Sequence, residues 1–214
     1  MVRLNPQHLR LYLVTDQSLT LGRPLADVVA QAVQGGVTCV QLREKHLSTR
    51  DFLAQARMLK ELLAPHGVPL VINDRIDIAL ACDADGVHLG QSDMPAQVAR
   101  RLLPSHVFIG WSVESADDVV QSLGMPVDYL GVSPVFATPT KTDTKNPWGL
   151  NGLRQVRAST SLPLVAIGGI HHSNARDMLR AGADGLAVVS ALCSAQDPAQ
   201  SAQEFMRLIL EEHP

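Results

Sequence analysis

The segment Ala181–Ser190, AGADGLAVVS, carries the pattern on which the whole chain is built. A small-residue turn leads through an aspartate into a short apolar run that closes on a hydroxyl. Similar junctions are QGGVTCVQLR (Gln34–Arg43), CDADGVHLG (Cys82–Gly90) and MPVDYLGVS (Met125–Ser133). Glycine lets a chain leave a helix through a positive φ, and the aspartate is placed to cap the turn. Outward from these junctions, Val-, Ile- and Leu-rich runs alternate with amphipathic stretches. The runs are RLYLVTD from Arg10, TCVQLRE from Thr38, PLVIND from Pro69, GVHLG from Gly86, VFIGWSV from Val107, YLGVSPV from Tyr129, PLVAIGG from Pro163 and GLAVVS from Gly185. They start about 25 residues apart, the pitch of a βα unit with short loops. Near-continuous apolar runs are strands buried on both faces, which means a parallel sheet covered by helices. Eight of them predict a compact (β/α)8 TIM barrel with a parallel eight-stranded barrel, spanning residues 1–214 as a single domain. A doubly wound open sheet is the alternative, but the first loop, TDQSLTLGRP (Thr15–Pro24), lacks the GxGxxG that such a sheet uses for a dinucleotide.

Composition agrees with this reading and removes several function classes. At 214 residues the chain is below the ~250 at which one core stops growing. With 46% hydrophobic and 18% charged residues it is neither disordered nor fibrous. A net charge of −3 without any Lys/Arg run leaves no footprint for nucleic acid or an acidic membrane. The start, MVRLNPQHLRLYLVTD, has no cleavage-like site, and no segment approaches ~18 uninterrupted apolar residues, so a cytoplasmic protein is expected. Cys39, Cys82 and Cys193 are odd in number and widely spaced, which suits small hydrophobes rather than a disulfide framework or a zinc site.

In a (β/α)8 barrel the carboxyl ends of the strands converge on the face that carries the chemistry. Here they deliver Asp16; Arg43, Glu44 and Lys45; Asn73 and Asp74; Gln91 and Asp93; Ser112 and Glu114; Thr138 to Lys141; Gly168 and Gly169; and Ser190. Asp74 and Asp93 follow adjacent strands, so both carboxylates would enter the mouth together and repel unless a cation lies between them. Few, hard oxygen ligands suit Mg²⁺, whose shell is completed by water and substrate phosphate oxygens. The competing reading makes each aspartate the N-cap of the helix that follows it. Gln41, Arg43 and Lys45 alternate along one strand, and Lys141 lies on the polar insertion Ala137–Gly149, whose functional reading is a mobile lid and whose plain reading is a solvated loop. Arginine, lysine and Mg²⁺ together are equipment for a diphosphate. A second anion site is expected at Gly168–Gly169–Ile170 and Val189–Ser190, where barrels commonly bind phosphate through backbone N–H groups. Two phosphorylated substrates follow, or one phosphorylated at both ends. His88 reads as a hydrogen-bonded core residue.

These residues lie in motifs whose order and spacing are specific: QLREK from Gln41, VINDR from Val71, DADGVHLGQSDMP from Asp83, GWSVES from Gly110, SPVFATPTKTD from Ser133, AIGGI from Ala166 and GADGLAVVSAL from Gly182. By them the chain resembles the thiamine-phosphate synthase family from LYLVTD to AQDP. The resemblance implies a transferase of thiamine biosynthesis. Such an enzyme joins 4-amino-2-methyl-5-hydroxymethylpyrimidine diphosphate to 4-methyl-5-hydroxyethylthiazole phosphate and releases diphosphate, by a Mg²⁺-assisted dissociative substitution. It assigns Gln41, Leu42, Arg43, Glu44, Lys45 and Asn73 to the pyrimidine diphosphate, and Asp74 and Asp93 to Mg²⁺. Ser112 and Lys141 complete the diphosphate clamp, so that Arg43, Lys45, Ser112 and Lys141 are the catalytic set. Thr138, Pro139, Thr140, Gly168 or Gly169, Val189 and Ser190 go to the thiazole phosphate. The partners implied are two small phosphorylated heterocycles, with no nucleic acid and no membrane; a homo-oligomer is allowed.

One position departs from the pattern. Related sequences often carry His two residues after the serine of GWSVES, where this chain has Glu114. A thiazole tautomerase resembles this fold and uses such a histidine, so its absence beside intact QLREK, ND and TPTK elements favours the synthase. Glu114 is then expected to support the site from behind or to cap the SADDVVQSL helix. The remaining competitors are a phosphosugar epimerase, an aldolase and a non-catalytic thiazole-phosphate-binding regulator. An aldolase needs a lysine inside a strand and an epimerase a histidine set for a metal, neither of which is present, and a regulator has no need of the two acids.

Overall fold

The computed structural model describes residues 4–138 and 146–213. Eight parallel strands close in chain order into a barrel. They are β1 (Leu11–Val14), β2 (Cys39–Leu42), β3 (Leu70–Asn73), β4 (Gly86–Leu89), β5 (Phe108–Val113), β6 (Tyr129–Val132), β7 (Leu164–Ile167) and β8 (Gly185–Val188), each within a run read from the sequence. Between and after them lie α1 (Leu25–Gln34), α2 (Thr49–Leu63), α3 (Ile76–Ala81), α4 (Ala96–Leu102), α5 (Ala116–Ser122), α6 (Gly149–Ser159), α7 (His172–Arg180), α8 (Ser190–Cys193) and α9 (Pro198–Glu212). Closure through β8 beside β1 leaves no sheet edge exposed.

The helices form because their apolar residues recur at helical spacing. In α1, Leu25, Val28, Val29, Ala32 and Val33 are buried along one face, and in α2 the same holds for Phe52, Ala56, Leu59 and Leu63. Ser48 starts α2 by accepting from the backbone N–H of Asp51 at 3.2 Å, and Asp197 starts α9 by accepting from that of Gln200 at 2.9 Å. These faces meet the outward residues of the strands in the main core, whereas Tyr12, Val71, Phe108, Tyr129 and Val165 fill the barrel interior. Each large side chain so buried contributes on the order of 1.5–3 kcal/mol. Cys39, Cys82 and Cys193 are buried and unpaired, and burial pushes each thiol upward, Cys193 to about 11, as expected of small hydrophobes.

The repeated junction aspartate has a different task from the turn cap the sequence suggests. Asp85, Asp128 and Asp184 each reach across to the preceding strand and accept a backbone N–H, from Leu70, Ile109 and Leu164, at 2.7–2.8 Å. Thr38, at the matching position before β2, accepts from Leu11 at 3.0 Å. In a barrel with tilted strands an N–H at or next to the start of a strand lies below its ladder, and this side chain satisfies it. The recurring sequence therefore fastens neighbouring strands at the bottom rim and leaves the top rim to chemistry.

Room inside the barrel is made by glycine. A Cβ on Gly110 would lie 2.1 Å from Tyr129 Cζ, and one on Gly131 would lie 2.9 Å from His88 Cε1. Two aromatic rings and an imidazole thus occupy the floor of the mouth.

Candidate active site

Two adjoining cavities open at the carboxyl ends of the strands. The larger, about 360 Å³, is lined among others by Gln41, Arg43 and Lys45 from the end of β2, Asn73 and Asp74 after β3, Asp93 beyond β4, and Ser112 and Glu114 at the end of β5. The smaller, about 70 Å³, is lined by Thr138, Gly168, Gly169, Ile170, Val189 and Ser190, with Arg43 and Ser133. Val14, Arg43, Ser133, Ile167 and Ala187 border both.

The alternation of a strand explains which residues of the QLREK motif arrive. Gln41, Arg43 and Lys45 share one parity and face the mouth. Leu42 and Glu44, named with them from the motif, do not line either cavity. Leu42 is fully buried in the outer core, and Glu44 is partly buried with Oε1 lacking a hydrogen-bond partner. Burial and the neighbouring Asp16 carboxylate push the Glu44 carboxyl up from its usual value. Pro139, Thr140 and Lys141, together with most of the expected lid, lie outside the described residues.

The acid pair is placed as the spacing requires. The Asp74 carboxyl stands within hydrogen-bonding reach of Asp93, whose own carboxyl is pushed up first by burial and then by Asp74. Neither aspartate caps a helix. Arg75 occupies the N-cap of α3 and Pro95 that of α4, both without a side-chain cap. Asp93 Oδ2 instead accepts the Gly90 N–H at 2.7 Å, and Asp74 holds a left-handed φ of 63°. Lys45 Nζ donates to Asp74 Oδ2 at 2.5 Å, so a positive charge already sits against the pair. Among the described residues no group of three or more His, Cys, Asp or Glu side chains could enclose a metal. Two carboxylates with open surroundings nevertheless fit Mg²⁺, which keeps waters and takes phosphate oxygens rather than an all-protein cage.

On the other side of the mouth, polarity comes from the backbone. Gly168 and Gly169 have φ of 101° and 64°. Their carbonyls, with that of Ile167, are engaged from outside the smaller cavity: Val135 N–H donates to Ile167 O at 2.8 Å, Phe136 N–H to Gly168 O at 3.2 Å, and Asn174 Nδ2 to Gly169 O at 2.8 Å. The turn is thus held by its oxygens, an arrangement suited to offering N–H groups to an anion.

Among the lining residues, Tyr12 and Tyr129 escaped the sequence reading, and His88, read as a hydrogen-bonded core residue, is hydrogen-bonded as expected, to Tyr129 and Ser112, and lines the cavity as well. All three have inward parity on β1, β4 and β6, a signal that could have placed them in the mouth. Glu114 is not the cap of α5. Ser115 is, accepting from Asp118 N–H at 3.3 Å, while the Glu114 N–H donates to Asp118 Oδ2 at 2.9 Å.

A closed (β/α)8 barrel with acids, cations and a glycine turn gathered at its carboxyl mouth defines a phosphate-handling enzyme of the barrel class. Comparison with known proteins narrows the class. A family model described as thiamine monophosphate synthase matches residues 11–192. The thiamine-phosphate synthase of Albidiferax ferrireducens is 75% identical over 203 residues, covering 95% of this chain and 93% of that protein. The one from Vibrio parahaemolyticus is 51% identical over 200 residues, covering 94% and 98%. The structure of thiamine phosphate pyrophosphorylase from Pyrococcus furiosus superposes with a TM-score of 0.91 at 38% identity, covering 98% of this chain and 99% of that one. The chain belongs to the thiamine monophosphate synthase family and is a transferase. A 3-hexulose-6-phosphate synthase structure, at 16% identity and a TM-score of 0.64, shares the fold. No helix among the described residues is long and apolar enough to cross a membrane.

Proposed function

We propose that the larger cavity takes 4-amino-2-methyl-5-hydroxymethylpyrimidine diphosphate and the smaller takes 4-methyl-5-hydroxyethylthiazole phosphate, and that the chain joins them with release of diphosphate. The observation that carries this reading is that the two cavities adjoin and share Arg43. Two substrates bound there would present their reacting ends to each other, and one guanidinium would face both phosphorylated groups.

The chain's own residues divide the work. Gln41 and Asn73, both nearly fully buried, are placed to hydrogen-bond the pyrimidine end. Arg43 and Lys45 balance the charge that grows on the departing diphosphate, and Ser112 donates to it. Lys141, which lies outside the described residues, is assigned to the same clamp through its motif. Asp74 and Asp93 would hold Mg²⁺, which when bound supplies further positive charge to the diphosphate oxygens. Thr138, the Gly168–Gly169 turn and the Val189–Ser190 backbone receive the thiazole phosphate, with Pro139 and Thr140 assigned through the motif alone. The bond from methylene to diphosphate oxygen breaks first, the electron-rich aminopyrimidine stabilises the cation, and the thiazole nitrogen then attacks it. No protein nucleophile is needed.

Mixing the purified chain with both substrates and Mg²⁺, and following thiamine phosphate by mass spectrometry, tests the proposal. Product is expected. Its absence while both substrates bind would replace the enzyme with a thiazole-phosphate-binding regulator.

A further inference from the structure

Between Gln41 and Ser112 runs a chain of side-chain hydrogen bonds whose middle members, Tyr12, Tyr129 and His88, the scheme above does not use. Gln41 Nε2 lies 3.0 Å from Tyr12 Oη, Tyr12 Oη 3.0 Å from Tyr129 Oη, Tyr129 Oη 2.9 Å from His88 Nδ1, and His88 Nε2 2.9 Å from Ser112 Oγ. Both phenols are essentially fully buried, and burial drives each well above its ordinary pKa, so each keeps its single proton.

Counting protons gives the chain a direction. The Gln41 amide nitrogen only donates, so Tyr12 accepts there, and its one proton goes to the Tyr129 oxygen, a stronger acceptor than the neighbouring Cys39 thiol. Tyr129, accepting from Tyr12, spends its proton on His88 Nδ1. A neutral imidazole that accepts at Nδ1 carries its proton on Nε2 and donates it to Ser112 Oγ. The Ser112 hydroxyl, with a lone pair occupied, is left with its own proton to give, and Ser112 lines the larger cavity. In the reverse direction, with the Gln41 carbonyl against Tyr12, the serine proton would be consumed by His88 and only lone pairs would face an anion.

We propose that His88 is a positioning residue: held as the Nε2–H tautomer by the Tyr12–Tyr129 pair, it fixes Ser112 as a hydrogen-bond donor to the departing diphosphate. The identity of the anion rests on the reading under Proposed function; the tautomer and the hydroxyl direction do not. Gly110 and Gly131 fit the same picture, since a side chain at either would displace the ring of Tyr129 or His88.

The test labels the histidine rings of the full chain with ¹⁵N and reads the His88 tautomer by NMR, alongside kinetics of Tyr129→Phe, Ser112→Ala and the double variant. Nε2 protonated and Nδ1 bare is expected in the wild type, with a mixed tautomer in Tyr129→Phe. That variant should lose about tenfold in kcat with KM for both substrates within about twofold, because the donor is used as charge develops. Added to Ser112→Ala it should cost little more, because it acts through that serine. A wild-type His88 protonated on Nδ1 overturns the proposal even if the variants fail to fold, and so do losses that multiply in the double variant. A wild type that makes no thiamine phosphate sinks the functional reading, and that result is read independently of the NMR.

Discussion

The β2–β5 side of the mouth and the β7–β8 side are both suited to negatively charged ligands, but they are made differently. On the first side the polarity is in side chains: Gln41, Arg43, Lys45, Asn73, Asp74, Asp93 and Ser112 project into an open cavity from strands that would pair equally well without them. On the second side the polarity is in the backbone, in a Gly168–Gly169 turn whose positive φ values and close neighbours are part of the fold itself. A change on the first side should therefore alter chemistry and spare stability, whereas a change on the second should alter both.

The sharpest test of that contrast is Asp93→Asn, with Asp74→Asn beside it. Asparagine retains an oxygen for the Gly90 N–H and, at Asp74, tolerates the left-handed backbone, so neither substitution strains the chain. What is lost is the charge that would hold the metal. Turnover should fall about 1000-fold, about 4 kcal/mol, and more Mg²⁺ should be needed, while Tm moves by less than about 2 °C. Steady-state kinetics across a Mg²⁺ series and a thermal melt measure both. Wild-type rates in both variants would return the carboxylates to structural roles.

Gly169→Ala should show the opposite signature. A Cβ there would stand 2.8 Å from Phe136 Cβ and 2.9 Å from Ala137 O, on a residue whose φ is 64°. Strain and overlap together cost about 2–3 kcal/mol, which for a chain this size lowers Tm by about 5–10 °C. KM for the thiazole phosphate should rise about tenfold, with KM for the pyrimidine diphosphate nearly unchanged. A stable variant with the reverse pattern of KM values would break the assignment of the two sides.

The same contrast explains what could be read in the sequence. Strand runs and junctions were legible because a strand buried on both faces must be apolar throughout, and all eight recur. The side-chain half of the mouth was legible by parity, which places Arg43 and Lys45 together and also shows why Leu42 and Glu44 do not line either cavity. Less was legible where a residue's role depends on a partner distant in the chain. The junction aspartates looked like turn caps because their true partners, N–H groups at or next to the start of the preceding strands, appear only once the barrel closes. His88 was legible as a hydrogen-bonded core residue but not its partners, and Tyr12 and Tyr129 stood out in no way within their apolar runs; the hydrogen bonds that link the three join β1, β4 and β6 and depend on the room left at Gly110 and Gly131.

Glu114 marks the boundary between the two kinds of residue, and the smallest effect is expected there. It follows directly after β5 and lines the larger cavity, and its backbone N–H donates to Asp118 Oδ2. Glu114→Gln keeps that N–H, the side-chain length and the Ser115 cap. It removes one negative charge from a partly solvated rim, where a charge is worth about 0–1 kcal/mol. Since that charge would face a diphosphate, its loss should tighten binding slightly, with kcat changed less than about threefold. Loss of more than about 100-fold in kcat, about 2.7 kcal/mol, would place the carboxylate in the chemistry itself. A threefold effect would leave the contrast intact: on the side-chain half of the mouth, only groups that meet the leaving diphosphate or hold the groups that do are expensive to change.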